Sequence, residues 1–418
     1  MKFRRLLATL AAAAMLAGVA VGCGQARAGQ GVGAGNDPGQ ARSAATAGSK
    51  PGKATEAFGL ALLRKLGHGN DVFSPDSVAD ALAMTGTGAG GATATQIAGV
   101  LHLVSPASFA SVGALQRQIA AEQAPLAQGS SEAPTLSIAN GLFVQRDYPL
   151  EQSFTSGLAQ AFAAAPQPVD FMNAEGEQAI NAWVAQQTHG LIPQIVTNLS
   201  RETRLELANA IYLKASWSER FKPIESTPAP FHGEGSSHST VFMHETESLP
   251  YGHGHGYVAL SLPYSHSTLS LLVLLPVGQS LTQLERRLRS VALDRIAHGL
   301  SRRNVAVSVP RFELQLHAVL NGPLQALGVR DAFDESKADF SGITRAEQLK
   351  IGEVVHAADF KVDEQGTLAA AATVVGVEAT SARIYRHVVA FKANRPFLFV
   401  LRDDRSSAAL FMGRVTRP

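Results

Sequence analysis

Residues 364–380 read Glu-Gln-Gly-Thr-Leu-Ala-Ala-Ala-Ala-Thr-Val-Val-Gly-Val-Glu-Ala-Thr, a run of small and β-branched residues with no charge between Glu364 and Glu378. An uncharged, β-prone segment left in water is an aggregation hazard. A folded chain either buries it or uses it as a strand that can be added to a sheet. Successive strand residues point to opposite faces. Thr367, Ala369, Ala371, Thr373, Val375 and Val377 make one face, slim enough to slide under overlying structure. Leu368, Ala370, Ala372, Val374, Gly376 and Glu378 make the other, and its one charge suits water. The alanines also suit a short helix or a low-complexity linker. Val374-Val375 and the breakers Gly366 and Gly376 weigh against a helix.

The chain has 418 residues and is 45% hydrophobic, enough for a sizeable core. A net charge of +2 gives no argument for nucleic acid. Lys2, Arg4 and Arg5 precede an apolar stretch from Leu6 to Val21, which reads as an export signal over residues 1–23. The stretch ends Ala20-Val21-Gly22-Cys23, similar to a bacterial lipoprotein signal whose cysteine thiol receives lipid, although Ala20 stands where Leu is preferred. Cys23 is the only cysteine, so no intrachain disulfide can form, and acylation would explain a lone thiol in an exported protein. An ordinary secretory signal is the alternative. The expected location is the cell surface through a lipid anchor, or outside the cell without one. Residues 24–53 are rich in Gly, Ala, Gln and Ser, cannot offset their ordering entropy, and read as a tether.

Helical spacing is expected over 55–66, 93–101, 106–123, 151–164 and 174–189. A further helix is capped by Ser74 with Pro75 at its first position and runs to about Thr85. Strands are expected at 71–73, 136–145, 204–214, 257–262, 268–275, 305–316, 351–363, 396–402 and 408–415. Helices come mostly first and strands mostly later, which favours an α+β domain.

The C-terminal Phe391-Lys392-Ala393-Asn394-Arg395-Pro396-Phe397-Leu398-Phe399 and Leu410-Phe411-Met412-Gly413-Arg414-Val415, with Glu364–Thr367 and the alanine run, resemble the serpin family. So do Phe73-Ser74-Pro75-Asp76-Ser77, Leu136–Asn140, Ile180–Trp183, Leu207–Trp217, Val309-Pro310-Arg311-Phe312, Asp339–Ile343 and Val355-His356, in order over about residues 54–418. The resemblance implies one α+β domain of eight to nine helices around three β-sheets. It also implies a gap between two parallel strands of the central sheet and an exposed reactive loop over about 366–388. It implies a serine protease inhibitor, not an enzyme, that acts as a suicide substrate. The protease cuts the loop, and the hinge of Glu364, Gly366, Thr367, Ala369, Ala370, Ala371, Ala372 and Thr373 inserts into the sheet with the acyl-protease attached. Strand insertion of this kind is a known property of the family.

By the same resemblance, Ser74, Ser77, Asn209 and His356 form a polar latch beneath the gap, and Trp217 stands where insertion begins. Taken alone, His356 also suits a satisfied core histidine and Trp217 a plain core aromatic. Leu368 departs from the family, where an acidic residue is common. Counting forward from Gly366 puts the scissile bond at Thr380–Ser381, and counting back from Asn394 puts it nearer Arg383. Thr380 or Ala379 suits an elastase-like or subtilisin-like protease, Arg383 a trypsin-like one, and Tyr385 a chymotrypsin-like one. A monomer is expected, with loop–sheet polymers as its characteristic failure.

A non-inhibitory binding or chaperone-like surface protein on the same fold is the main alternative, though such members usually lose the small hinge residues. No Gly-x-Ser-x-Gly, Ser-x-x-Lys or His-Glu-x-x-His motif supports an enzyme. The histidines at 232, 238, 244, 253 and 255 fit no helical metal motif, so neither metal nor cofactor is expected. Arg286, Arg287, Arg289, Arg295, Arg302 and Arg303 cluster in sequence, and a solvated helix face accounts for them more simply than a polyanion site.

Overall fold

Proline fits the first turn of a helix because its missing N–H would go unbonded there, and the Ser74 hydroxyl caps the turn by accepting from Ser77 N at 3.0 Å. The helix so started lies under the centre of the fold. The structure, a computed structural model, describes residues 51–127, 133–367 and 386–418. Residues 1–50, which hold the expected signal, Cys23 and most of the tether, lie outside the described residues. So do Ala369–Thr373 of the hinge and Ala379, Thr380, Ser381, Arg383 and Tyr385 of the reactive bond.

In chain order the elements are α1 (Pro51–Leu63), β1 (Asp71–Phe73), α2 (Pro75–Gly86), α3 (Gly91–Val100), α4 (Ala110–Ala127), β2 (Thr135–Gln145), α5 (Gln152–Phe162), β3 (Pro166–Val169) and α6 (Glu175–Gln187). Then come β4 (Leu205–Ser216), β5 (Thr227–His232), β6 (Ser237–Gly254), β7 (Tyr257–Pro263), β8 (Leu269–Pro276), α7 (Leu281–Arg287), α8 (Ser290–His298), β9 (Ser301–Pro310) and β10 (Phe312–Val319). The chain closes with α9 (Asn321–Leu327), β11 (Val355–Val362), β12 (Gly366–Thr367), β13 (Val389–Lys392), β14 (Phe397–Asp403) and β15 (Ala409–Val415).

The described strands form two hydrogen-bonded networks. One runs β1-β15-β14-β8-β7-β6-β9-β13 with β5 on β6, and the other runs β10-β11-β12-β4-β2-β3. β6 is 18 residues long and pairs with β9 along Phe242–Tyr251 and with β7 along Tyr251–Gly254. This one strand links two of the three expected sheets into a single network. Its polar sequence has no apolar period, so it escapes a periodicity reading. β3, β5, β13 and α7–α9 escape it too, being short or polar. The expected strand 305–316 is two strands. It breaks at Arg311, where the chain leaves the first network after Pro310 and enters the second at Phe312.

β8, β14 and β15 are buried at every position, as near-continuous apolar strands are when both faces are covered. The inner faces of the two networks meet in an aromatic core. Phe360 of β11 stacks on Phe399 of β14 at 4.9 Å between ring centroids, and Phe312 lies 5.4 Å from Phe399. On the opposite face of β14 and β15, against the helices, two buried arginines are paired. Arg402 reaches Glu56 at 3.3 Å and Asp294 at 3.4 Å, and Arg414 reaches Asp71 at 3.2 Å and Glu285 at 3.1 Å.

Candidate functional site

β11 turns into β12 through Glu364-Gln365. Asp363 N donates to Gly366 O at 3.0 Å, and the Asp363 carboxylate accepts from Gln365 N at 2.8 Å. β12 is antiparallel to both neighbours: Thr367 pairs with Val362 of β11 and Ala215 of β4, and Gly366 pairs with Ser216. β11 and β4 therefore run parallel to each other. Among the described residues no register pair joins them directly, and only β12 stands between them. Gly366 and Thr367 of the expected hinge already lie in the opening of the central sheet.

Gly366 owes its place to a close approach. Its φ is +154°, and a Cβ there would meet Ala215 O at 1.8 Å. Only glycine fits, so its use here is contact, not the freedom of motion that its place in a hinge suggests. Thr367 is fully buried, and its hydroxyl meets that of Tyr264. Tyr264 stacks on Trp217 at 4.5 Å with an 18° interplanar angle, and Phe221 meets Trp217 edge-on at 6.4 Å. Trp217 N donates to Gln365 O at 2.9 Å and its indole nitrogen to Asp363 O at 2.8 Å. Trp217 thus grips the turn from which the hinge departs. Glu364, buried with only an edge exposed, accepts from Ser226 Oγ at 2.5 Å and from Arg311 Nε at 2.7 Å. Burial alone would raise its pKa, but the bonds from Arg311 and Ser226 outweigh burial and hold it below the usual carboxylate range.

Ser74, Ser77 and His356 meet beneath the opening. Ser74 N donates to His356 Nε2 at 3.1 Å, so this imidazole nitrogen is an acceptor and carries no proton. Burial pushes the His356 pKa down to about 4. The Ser77 hydroxyl is buried without a partner. Asn209 joins this group less directly. Its amide nitrogen donates to Asn140 Oδ1 at 2.5 Å, and Asn140 Nδ2 donates to Asp80 Oδ2 at 3.1 Å. α2 therefore touches both lips of the opening: β11 through Ser74–His356, and β4 through Asp80–Asn140–Asn209. Trp217 lies apart from this cluster, at the far end of β4 beside the turn.

Asp76 and Asp80 were not singled out as site residues from the sequence. Both are fully buried, although they stand among residues of an ordinary helix start. The available signal was their spacing, which puts two acids on one face of a helix, flanked there by Ala79 and Ala83. Arg311, too, was legible only as part of a motif. No group of three His, Cys, Asp or Glu among the described residues is placed to hold a metal ion.

A family model described as "Serpin (serine protease inhibitor)" matches residues 53–418. The chain belongs to the serpin family. It is 34% identical over 369 residues to an uncharacterized serpin-like protein of Thermococcus kodakarensis, covering 87% of this chain and 85% of that one. It is also 34% identical over 388 residues to leukocyte elastase inhibitor A of Mus musculus, covering 87% and 98% respectively. Among solved structures, the native thermophilic serpin tengpin aligns with a TM-score of 0.78 at 26% identity, covering 88% of this chain and 94% of tengpin. Cleaved Serpin 42Da aligns with 0.77 at 30% identity, covering 88% and 99%. The scores for a native and a cleaved serpin are nearly equal, so overall likeness does not distinguish the two states. The family model carries the description of a serine protease inhibitor, and the family's fold is the α+β arrangement described above.

Proposed function

We propose that this serpin is an inhibitory member that traps a serine protease by inserting its cut loop into the central sheet. The observation that carries this reading is β12, whose two residues already occupy the slot between parallel β4 and β11. Its register can be continued. Six residues beyond Thr367 is Thr373, and six residues back from Ala215 and from Val362 are Asn209 and His356. After cleavage Thr373 would stand opposite both. Opposed residues of antiparallel strands share a face. The face of Thr367, Ala369, Ala371, Thr373, Val375 and Val377 would then join that of Ile211, Leu213, Ala358 and Phe360, all buried. Leu368 would fall between Lys214 and Lys361, both exposed, on the outer face.

Insertion gives the hinge backbone partners on both sides and buries apolar surface at about 25 cal/mol per Å². Over more than ten residues that is comparable with the whole stability margin of a typical domain, about 5–15 kcal/mol. The intact fold would then be held by a barrier and not by depth. The hinge count favours Thr380–Ser381 as the cut bond, with Ala379, Arg383 and Tyr385 as alternatives. The relatives named as leukocyte elastase inhibitors support an elastase-like target. The expected export signal further suggests a surface lipoprotein lipidated at Cys23, which the mass of the mature N-terminus checks.

The test is incubation with elastase-like, subtilisin-like and trypsin-like proteases. An SDS-resistant complex, with the cut mapped by mass spectrometry, is the expected result. Clean cleavage that leaves the protease fully active contradicts inhibition.

A further inference from the structure

The two buried aspartates of α2 have no role in trapping as described above, yet they lie where the sheet must part. Neither exposes any surface, both oxygens of Asp76 and Oδ1 of Asp80 lack a hydrogen-bond partner, and only Asp80 Oδ2 is served, by Asn140 Nδ2 at 3.1 Å. Among the described residues no cation answers them. On α4, Gln116 faces Asp76 without closing a hydrogen bond, Arg117 donates instead to Ala161 O, and Glu122 accepts from Gln118. On α1, Lys53 pairs with Asp294 and Glu56 with Arg402; on β15, Arg414 pairs with Asp71 and Glu285. On β4, Glu206 faces Glu353, Tyr212 lies against His189, and Lys214 is exposed. β2 and α3 carry no titratable residue. His356 of β11 is present as a neutral acceptor.

Two ionised carboxylates cannot share such a site without a counter-charge. The positive end of α2 favours an ionised Asp76, but this is a weaker effect than complete burial. We propose that Asp76 and Asp80 are a proton-held lock: protonated while the central sheet is shut, and releasing protons to solvent when α2 and the lips of the sheet move apart. The lock rests on the insertion reading for its purpose, but its chemistry does not depend on that reading.

Burial pushes both carboxyls up from the ordinary range, and the neighbouring Asp76 raises Asp80 further. Their folded pKa values lie above the unfolded value of about 3.9. The shut state thus holds protons that the open state gives up, and it weakens as pH rises above that value. His356 works in the opposite sense. Its folded pKa of about 4 lies below its unfolded value, so its own contribution to the shut state is lost as pH falls from about 6.5. Below that pH it offsets part of the slope set by the two acids, and above it the acids act alone.

The test uses the full chain and measures amide exchange of β4 and β11, corrected for the intrinsic rate, from about pH 6 to about pH 9. The opening equilibrium should rise with pH by up to about tenfold per unit for each proton released. Asp76→Asn and Asp80→Asn should each flatten that slope, whatever they do to stability at one pH. Equal slopes in all three proteins overturn the lock. Infrared spectroscopy gives a second reading. Burial also pushes Glu56 and Glu206 up to about 8, so a protonated-carboxyl band at neutral pH that weakens in Asp76→Asn and Asp80→Asn supports the lock, and a band that neither substitution changes overturns it. A protein that keeps the slope but forms no covalent complex with any protease overturns the inhibitory reading and leaves the lock standing.

Discussion

Gly366 has no room for a side chain, and this makes one substitution informative. Gly366→Ala drives a methyl into Ala215 O, in a conformation that costs about 1–3 kcal/mol for other residues. The variant should melt earlier by thermal scanning and lose its β12 pairing. An unchanged melting point contradicts the described approach. Arg311→Ala leaves Glu364 buried with one fewer donor, and Arg311 is itself 45% exposed. A loss of about 1–2 kcal/mol is expected in denaturant unfolding. The folded pKa of Glu364 is depressed. Its stabilisation is present above the unfolded value of about 4.3 and is lost as pH falls through the folded value. Removing Arg311 should lessen that acid sensitivity, which a pH series of unfolding curves checks. At this scale the sequence was partly legible. Ser74-Pro75 announced a capped helix because its chemistry is local. The partner of Glu364 did not show, because Arg311 is 53 residues distant along the chain and reaches it only through a strand break.

The hinge is where periodicity becomes a test. Thr367 faces inward, so Ala369, Ala371 and Thr373 should follow it inward, while Ala370 and Ala372 face out. Ala371→Glu puts a charge under the sheet, at a cost of several kcal/mol if it is unpaired, and should turn the inhibitor into a substrate. Ala372→Glu should leave the stoichiometry of inhibition near that of the parent. The same stoichiometry for both variants contradicts the register. Among the elements, strands with an apolar alternation or run, such as β2, β8 and β15, were legible because burial of one or both faces dictates their composition. β6 was not, because its length is fixed by the partners it joins and its side chains are mostly polar. The reading of 305–316 as one strand failed for a related reason. Composition is continuous across Arg311, and only the exchange of partners marks the break.

For the molecule as a whole, insertion of the cut loop would make the intact fold the shallower of two states. If the cut loop inserts, the first network and the ion pairs of Arg402 and Arg414 form the body that stays fixed, and the second network, parting between β4 and β11, is the part that changes. The family and its α+β fold were legible in the ordered set of motifs, while the acid pair beneath the sheet depended on burial that no single stretch reveals. The most direct measurement is the melting temperature before and after one cut within residues 379–383. The account predicts a rise well beyond the few degrees that a single substitution shifts a domain, because the freed hinge has entered the sheet. A cut protein that melts at the same temperature as the intact one, or below it, contradicts it.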